Sequence, residues 1–325
     1  MTGTQDYHTI FQQDWWLDAV APGHWDAVTV ERGGTTQARL PFVIKEQEGL
    51  TTLGQAPLTK WLGPWVRQTD AGYSKTLGRE MSLYGELISK LPRHDRFAQS
   101  FAPQVTNWLP FYWEGFDQKT RYTYVLETDQ TLETLHANLD KRDRRQLRQA
   151  SDRIQADLSD DLETFLRLND LTFSRQGLKT PYSHEFVQRL DEAVLARAHR
   201  YLILARDKVS GEPHAGVYMV ADDTRAYSLM SGQNPAFRDL NGGIVARWKA
   251  IEVINAEGIP KLDLQGSMMK SVERRNRKYG AVQVPYFSIY RSNGKHEKQE
   301  ARRRRLRAPL LKAYRTKEKL LRPYR

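Results

Sequence analysis

Asp263 and Gln265 sit in an otherwise apolar run, "KLDLQGS", which breaks at Gly266 and Ser267 and restarts as a basic helical segment ending at Gly280. A strand turns alternate residues to opposite faces, so Asp263 and Gln265 are expected on one face and Leu262 and Leu264 on the other. Polar groups on a central strand are costly unless they are hydrogen-bonded or face a cleft. A carboxylate facing a cleft is a candidate for acid–base chemistry. A simple cap, or pairing with a nearby Arg or Lys, is an equally open reading of Asp263. No Gly-x-Ser-x-Gly elbow surrounds Ser267, so the sequence gives it no nucleophile's setting.

The second stretch is "FRDLNGGIVARW", in which Asn241, Gly242 and Gly243 open a helix just after Arg238. Free backbone N–H groups and the positive end of a helix dipole suit a phosphate there, and glycine permits its close approach. An ordinary Asn cap followed by turn glycines would leave the same sequence. The eight histidines show no one-turn pairing of the kind a metal site needs, so no metal is expected. His184 and His214 remain candidate acid–base groups.

Aromatic residues cluster twice, in "LTKWLGPW" around Trp61 and in "WLPFYWEGF" around Trp113. They are candidates for lining a substrate cleft, with core packing as the competing explanation. The run "KRDRRQLRQASDR" gathers basic residues within two helical turns. It reads as a phosphate-facing surface or as a solvated helix face balanced by Asp140, Asp143 and Asp152.

The elements that must position these residues can be read from periodicity. Helical spacing is expected over 11–20, 79–91, 132–153, 160–177 and 183–198, and again after Asn241 and after Gly266. Alternating, β-branched segments predict an antiparallel meander near 25–54 and later strands from "RFAQSFAP", "TRYTYVLET", "RIQADL", "RYLILARD", "PHAGVYMVAD", "TRAYSLMSG", "KLDLQ" and "AVQVPYFSIYR". The order suggests a mixed sheet flanked by helices, with "KLDLQ" parallel to a neighbour through the Asn241 helix as crossover. A chain of 325 residues exceeds the usual span of one core, so two units are expected, 1–130 and 131–290, followed by a basic tail from 291 to 325.

The formal charge of +11 is local. The last 35 residues hold 14 of the 50 Lys and Arg and 3 of the 39 acidic residues, which leaves 36 of each sign in residues 1–290. A formally neutral body argues against extensive electrostatic binding of nucleic acid outside the tail. Within residues 296–325, Leu310, Tyr314, Leu321 and Tyr324 fall at near-helical spacing among Arg and Lys, which suits an anionic membrane surface; polyanion binding and plain disorder are the rivals. With no cysteine, no basic-then-apolar leader and no span of about 20 apolar residues, a cytoplasmic protein is expected, lying at the inner face of the membrane if the tail binds there.

Taken together, these residues resemble a known family. "GIPKLDLQGSMMKSVERRNRKYGAVQVPYFSIYR" is similar to the C-terminal signature of the FemAB-related branch of the GNAT acyltransferase superfamily, on Asp263, Gly266, Ser267, Met268, Glu273, Arg274, Tyr279, Gly280, Ala281 and Tyr286. Residues 57–65, 107–116 and 144–150 look like its earlier landmarks in the right order. The resemblance implies an α+β fold of tandem GNAT-like domains. It also implies transfer of an acyl or aminoacyl group to an amine. In that setting Asp263 would orient or deprotonate the amine. Arg238, Asn241, Gly242 and Gly243 would hold the donor phosphate, while Gln265, Gly266, Ser267, Trp61 and Trp113 would contact substrate.

The sequence departs from the family twice. Asn241 replaces the first glycine of the acyl-CoA motif Arg/Gln-x-x-Gly-x-Gly/Ala, and Arg275-Asn276 stands where bridge-forming members carry Phe-Lys. The first departure bears against the CoA motif and the second against the tRNA-dependent members; because residues 1–290 are formally neutral, acyl-CoA is the expected co-substrate, with aminoacyl-tRNA as the alternative donor. The acceptor is expected to be a small-molecule or lipid-linked amine of the cell envelope. A non-catalytic module that recruits a membrane or partner through the tail is the reading from another class. The sequence leaves the oligomeric state open.

Overall fold

The structure is a computed structural model that describes residues 7–266 and 268–299. Near the N-terminus a 3-10 turn at Ile10–Gln12 leads into α1 (Asp14–Val20), which buries Trp16, Leu17, Ala19 and Val20 as its apolar spacing predicts. The meander follows as β1 (Trp25–Arg32), β2 (Thr35–Gln47) and β3 (Leu50–Gly54), and β4 (Trp65–Val66) adds to β2. Next come α2 (Tyr73–Ser89), β5 (Arg96–Ser100), α3 (Leu109–Trp113) and β6 (Asp117–Glu127).

The helical stretch after Leu132 is two helices, where the periodicity predicts one: α4 (Leu132–Ala137) and α5 (Lys141–Ser151). Asp140 starts the second by accepting a hydrogen bond from the Arg142 N–H at 3.0 Å, a new N-cap inside the periodic run. Then follow β7 (Ile154–Leu158), α6 (Leu162–Ser174), α7 (His184–Arg197), β8 (His199–Asp207), β9 (Pro213–Ala221), β10 (Ala226–Gln233), α8 (Gly242–Ala256), β11 (Lys261–Asp263), α9 (Lys270–Arg277) and β12 (Val282–Ser292).

All twelve strands join one mixed sheet in the order β1-β2-β3-β5-β12-β6-β11-β10-β9-β8-β7, with β4 on β2. The crossover is as expected, with β10 and β11 parallel and joined by α8. The middle of the sheet is made by two strands from distant parts of the chain. β12 pairs with β5 on one side and β6 on the other, and β6 pairs in turn with β11. Strands from before residue 128 and from after residue 260 therefore alternate across the centre, next to Asp263.

Two apolar clusters hold this sheet. One runs from Trp16, Phe97 and Phe111 to Phe165, Val187 and Tyr218, so it spans both halves of the chain. The other packs Leu147, Ile203, Ile251 and Leu262 between α5, α8 and the sheet. Each fully buried side chain of this size contributes about 1.5–3 kcal/mol relative to exposure. No helix among the described residues is long and apolar enough to cross a membrane.

Candidate active site

β10 and β11 pair at only two positions, Ala226 with Leu262 and Tyr227 with Asp263. Past that rung β10 continues to Gln233 on the β9 side alone, with a bulge between Ser228 and Met230, and the two parallel strands separate. Beside this divergence lies a cleft of about 440 Å³, bounded by the end of β10, the start of α8 and the face of α9. Sites in such sheets lie at the carboxyl ends of strands, and this one does.

Arg238, Asn241 and Gly243 line the cleft. Asn241 is not an ordinary cap. Its backbone is left-handed, with φ of 58°, its side chain makes no capping bond, and its Nδ2 donates instead to the Asp239 carbonyl at 3.1 Å. The first turn of α8 thus has no side-chain acceptor, and its N–H groups keep the partial positive charge of a helix start. Gly242 is buried against His214, where an added Cβ would lie 2.7 Å from the His214 Cβ. Gly243 is roomier, its nearest neighbour being Gln233 at 3.7 Å. The left-handed backbone also explains how Asn can stand where the motif has glycine, since Asn tolerates that conformation better than most residues.

Asp263 lies on the last rung before the strands separate, and it is fully buried. Its Oδ1 accepts from Thr123 Oγ1 at 2.7 Å and from the Gln265 N–H at 2.8 Å, whereas Oδ2 has no partner among the described residues. The strand ends here. Gln265 therefore does not share a strand face with Asp263 as alternation predicts; it adopts φ of 60° and turns its N–H back to the carboxylate. Leu264 is buried nonetheless. Asn276 of α9 fixes this turn by donating its side-chain amide to the Gln265 carbonyl. Gly266 passes directly over β6, where an added Cβ would fall 1.6 Å from the Tyr122 carbonyl oxygen, so no other residue fits.

Lys60, on the loop after β3, reaches the same turn. Its Nζ donates to the Gly266 carbonyl at 3.3 Å and lies 5.6 Å from the centre of the Tyr286 ring. Burial pushes the Lys60 ammonium below its usual range, and the Asp263 charge opposes that shift. Burial likewise raises Asp263, against the Thr123 bond and the Lys60 charge. Each group thus offsets part of the desolvation of the other.

Trp61 is buried in a cluster of rings, 5.9 Å from Tyr227 and 5.9 Å from Tyr286, with its Nε1 unpartnered among the described residues. Trp113 is 62% exposed on α3 and is not among the residues lining the cleft. Ser267 lies outside the described residues. His214 is buried and stacked on Phe237 at 4.3 Å, while His184 pairs with Asp170 at 2.7 Å on the surface.

Sequence reasoning missed Lys60, Thr123, Arg247 and Arg275 as members of these places. A lone lysine in the apolar "LTKWLGPW", and an arginine in the otherwise apolar start of α8, were the available signals. Among the described residues, no group of three His, Cys, Asp or Glu side chains is placed to hold a metal ion.

Residues 136–273 match the family model described as "Acetyltransferase (GNAT) domain". The span runs from α4 into α9 and contains the cleft, Asp263 and the separating strands, so this part of the chain is similar to a GNAT acetyltransferase domain, a likeness that supports N-acyl transfer. The larger frame is similar in fold to FemX, whose crystal structure aligns with a TM-score of 0.63 at 14% identity, over 86% of this chain and 92% of FemX. A tandem GNAT protein from the clavulanic acid biosynthesis pathway aligns at 0.53 and 11% identity, over 82% of each chain. A conserved protein of unknown function from Bacteroides thetaiotaomicron aligns at 0.51 and 9% identity, over 86% of this chain and 90% of that one. No curated protein matches the sequence. The FemAB-related resemblance of the motifs and the tandem GNAT fold thus agree.

Proposed function

We propose that the protein transfers an acyl group from acyl-CoA to an amine on a cell-envelope sugar or peptide precursor. The observation that carries this reading is the uncapped start of α8, which opens into a cleft beside Arg238 at the point where β10 and β11 separate. Donor phosphate sits on the N–H groups of Gly242 and Gly243 and on Arg238. The amine nitrogen attacks the thioester carbonyl, the new C–N bond forms as the C–S bond breaks, and the thiolate leaves with a proton.

The amine must first lose a proton and be held in line. Asp263 is the candidate, because its buried Oδ2 has no partner among the described residues while Oδ1 is occupied; the carboxyl lies behind the cleft lining, so the amine must displace the turn at Gln265 to reach it. Gln265 and Gly266 shape the turn over which the amine would approach. Trp61 supports the turn from the ring cluster, and Trp113 is proposed to contact acceptor outside the cleft.

An aminoacyl ester of tRNA is the second reading of the donor. Its support is that Arg175, Arg238, Arg247 and Arg275 all line the same cleft. The basic tail, of which residues 300–325 lie outside the described residues, is proposed to hold the protein on an anionic membrane surface near a lipid-linked acceptor. Mass-spectrometric detection of acyl transfer from a CoA thioester to envelope amines tests the main reading. Transfer from an aminoacyl-tRNA and from no CoA thioester would replace it with the second.

A further inference from the structure

Among the described residues, two of the arginines in the cleft have no carboxylate to answer them. Arg247, on the second turn of α8, is only 7% exposed, and its Nε has no hydrogen-bond partner among the described residues. Its guanidinium lies 5.5 Å from the centre of the buried Tyr279 ring. Arg275, on α9, stands at the exposed mouth of the same cleft. Asp143 is the cleft's one acidic lining residue, and it is already held by Lys278 Nζ at 2.6 Å. Neither Arg247 nor Arg275 has an ion pair or side-chain hydrogen bond among the described residues.

Buried charges are paired as a rule, because an unpaired one costs several kcal/mol of desolvation. Here the opposite arrangement holds, with a second cation brought up to a buried first one. The repulsion is felt: Arg275 is held below the usual guanidinium range, first by the Arg247 charge and then by desolvation. A cleft wall that keeps two like charges close, with one of them lacking a partner for its N–H, is built for an anion that arrives from outside. Two planar donor forks lining one cleft from different helices suit a group with several oxygens and more than one charge.

We infer that Arg247 and Arg275 form an anion subsite that takes a phosphate group of the donor, additional to the one received by the backbone N–H groups at the start of α8. The inference rests on the reading of this cleft as the donor site. It places a negative charge of the donor on the α8–α9 wall, about one helical turn along α8 from Gly242 and Gly243. Both a CoA-type carrier and the end of an RNA chain bring phosphates of this chemistry.

The test is calorimetric titration of the full chain with inorganic pyrophosphate, CoA and a short RNA trinucleotide. It compares wild type with Arg275→Gln, Arg247→Lys and Arg238→Glu. Arg275 is exposed, so its replacement leaves folding intact, and by removing the repulsion it should leave the thermal midpoint of the ligand-free protein unchanged or higher. The expected result is a loss of tenfold or more in pyrophosphate affinity in Arg275→Gln, with partial retention in Arg247→Lys. The larger loss among CoA and trinucleotide then identifies the carrier. Pyrophosphate affinity equal to wild type in both Arg275→Gln and Arg247→Lys would overturn the subsite, as would a wild type that binds none of the three probes. A wild type that binds pyrophosphate through Arg247 and Arg275 but transfers no acyl group would overturn the transferase reading and leave the subsite standing.

Discussion

Lys60 Nζ donates to the carbonyl of Gly266 at 3.3 Å, a contact across 206 residues that sets a cation from the first part of the chain beside the buried carboxylate of Asp263. The bond ties the loop after β3 to the turn on which the proposed chemistry depends. Removing one partner of a buried charge pair leaves the other uncompensated. Lys60→Met is expected to destabilise the protein by about 3 kcal/mol or more, and combining it with Asp263→Asn should recover most of that loss. Urea denaturation of the two single variants and the double variant measures the coupling; additive losses would show that the two charges do not interact.

The pH dependence of Asp263 follows from the direction of its shift. Burial raises it above the ordinary value of 3.8, so the folded protein holds the proton more tightly than the unfolded chain does. The associated stability is complete below that value and is lost as pH rises through the raised folded one. Asp263→Asn has no such loss. Its thermal midpoint relative to wild type should therefore be more favourable at pH 7 than at pH 4, and a difference that stays constant between those pH values would contradict the buried-carboxylate account.

Gly266 leaves no room for change. A Cβ there would stand 1.6 Å from a backbone oxygen of β6, so relief requires moving the central strand itself. Gly266→Ala is expected to cost about 3 kcal/mol or more of stability. Chemical denaturation reads this directly, and a loss below 1 kcal/mol, roughly that of an unstrained surface change, would show that the turn stands clear of Tyr122.

Asn241 separates backbone conformation from side-chain chemistry. With φ at 58°, Asn241→Ala should lose about 1 kcal/mol, whereas Asn241→Gly should cost little. Because the proposed phosphate contacts are backbone N–H groups, Asn241→Gly should also bind CoA within a few-fold of wild type. A tenfold loss in that variant would assign the contact to the Asn side chain instead.

Much of this was legible in the sequence, and the parts that were not share a physical cause. Local patterns gave the meander, α6 to α8, the parallel β10–β11 crossover and the glycine-rich start of α8, since each depends on residues close together in the chain. The insertion of β12 between β5 and β6 was not legible, because pairing partners 157 to 196 residues apart leave no local signal. The position of Gln265 was misread because alternation assumes that the strand continues, and here Asp263 ends it by capturing the next free N–H. Asn241 looked like a departure from a motif, yet its left-handed backbone preserves the conformation that the missing glycine would supply. Lys60 and Thr123 are ordinary residues in sequence and become significant only through what the fold brings to Asp263.

The central claim is that the cleft at α8 receives an activated acyl donor and that Asp263 serves the amine attacking it. The most direct measurement is the rate of acyl transfer from a CoA thioester to an amine acceptor, followed by mass spectrometry for wild type, Asp263→Asn and Arg238→Glu. The account predicts a fall in kcat of about a hundredfold for Asp263→Asn, in the range of a lost acid–base group, and chiefly a rise in KM for the donor for Arg238→Glu. Transfer at the wild-type rate and donor KM in both variants would contradict it.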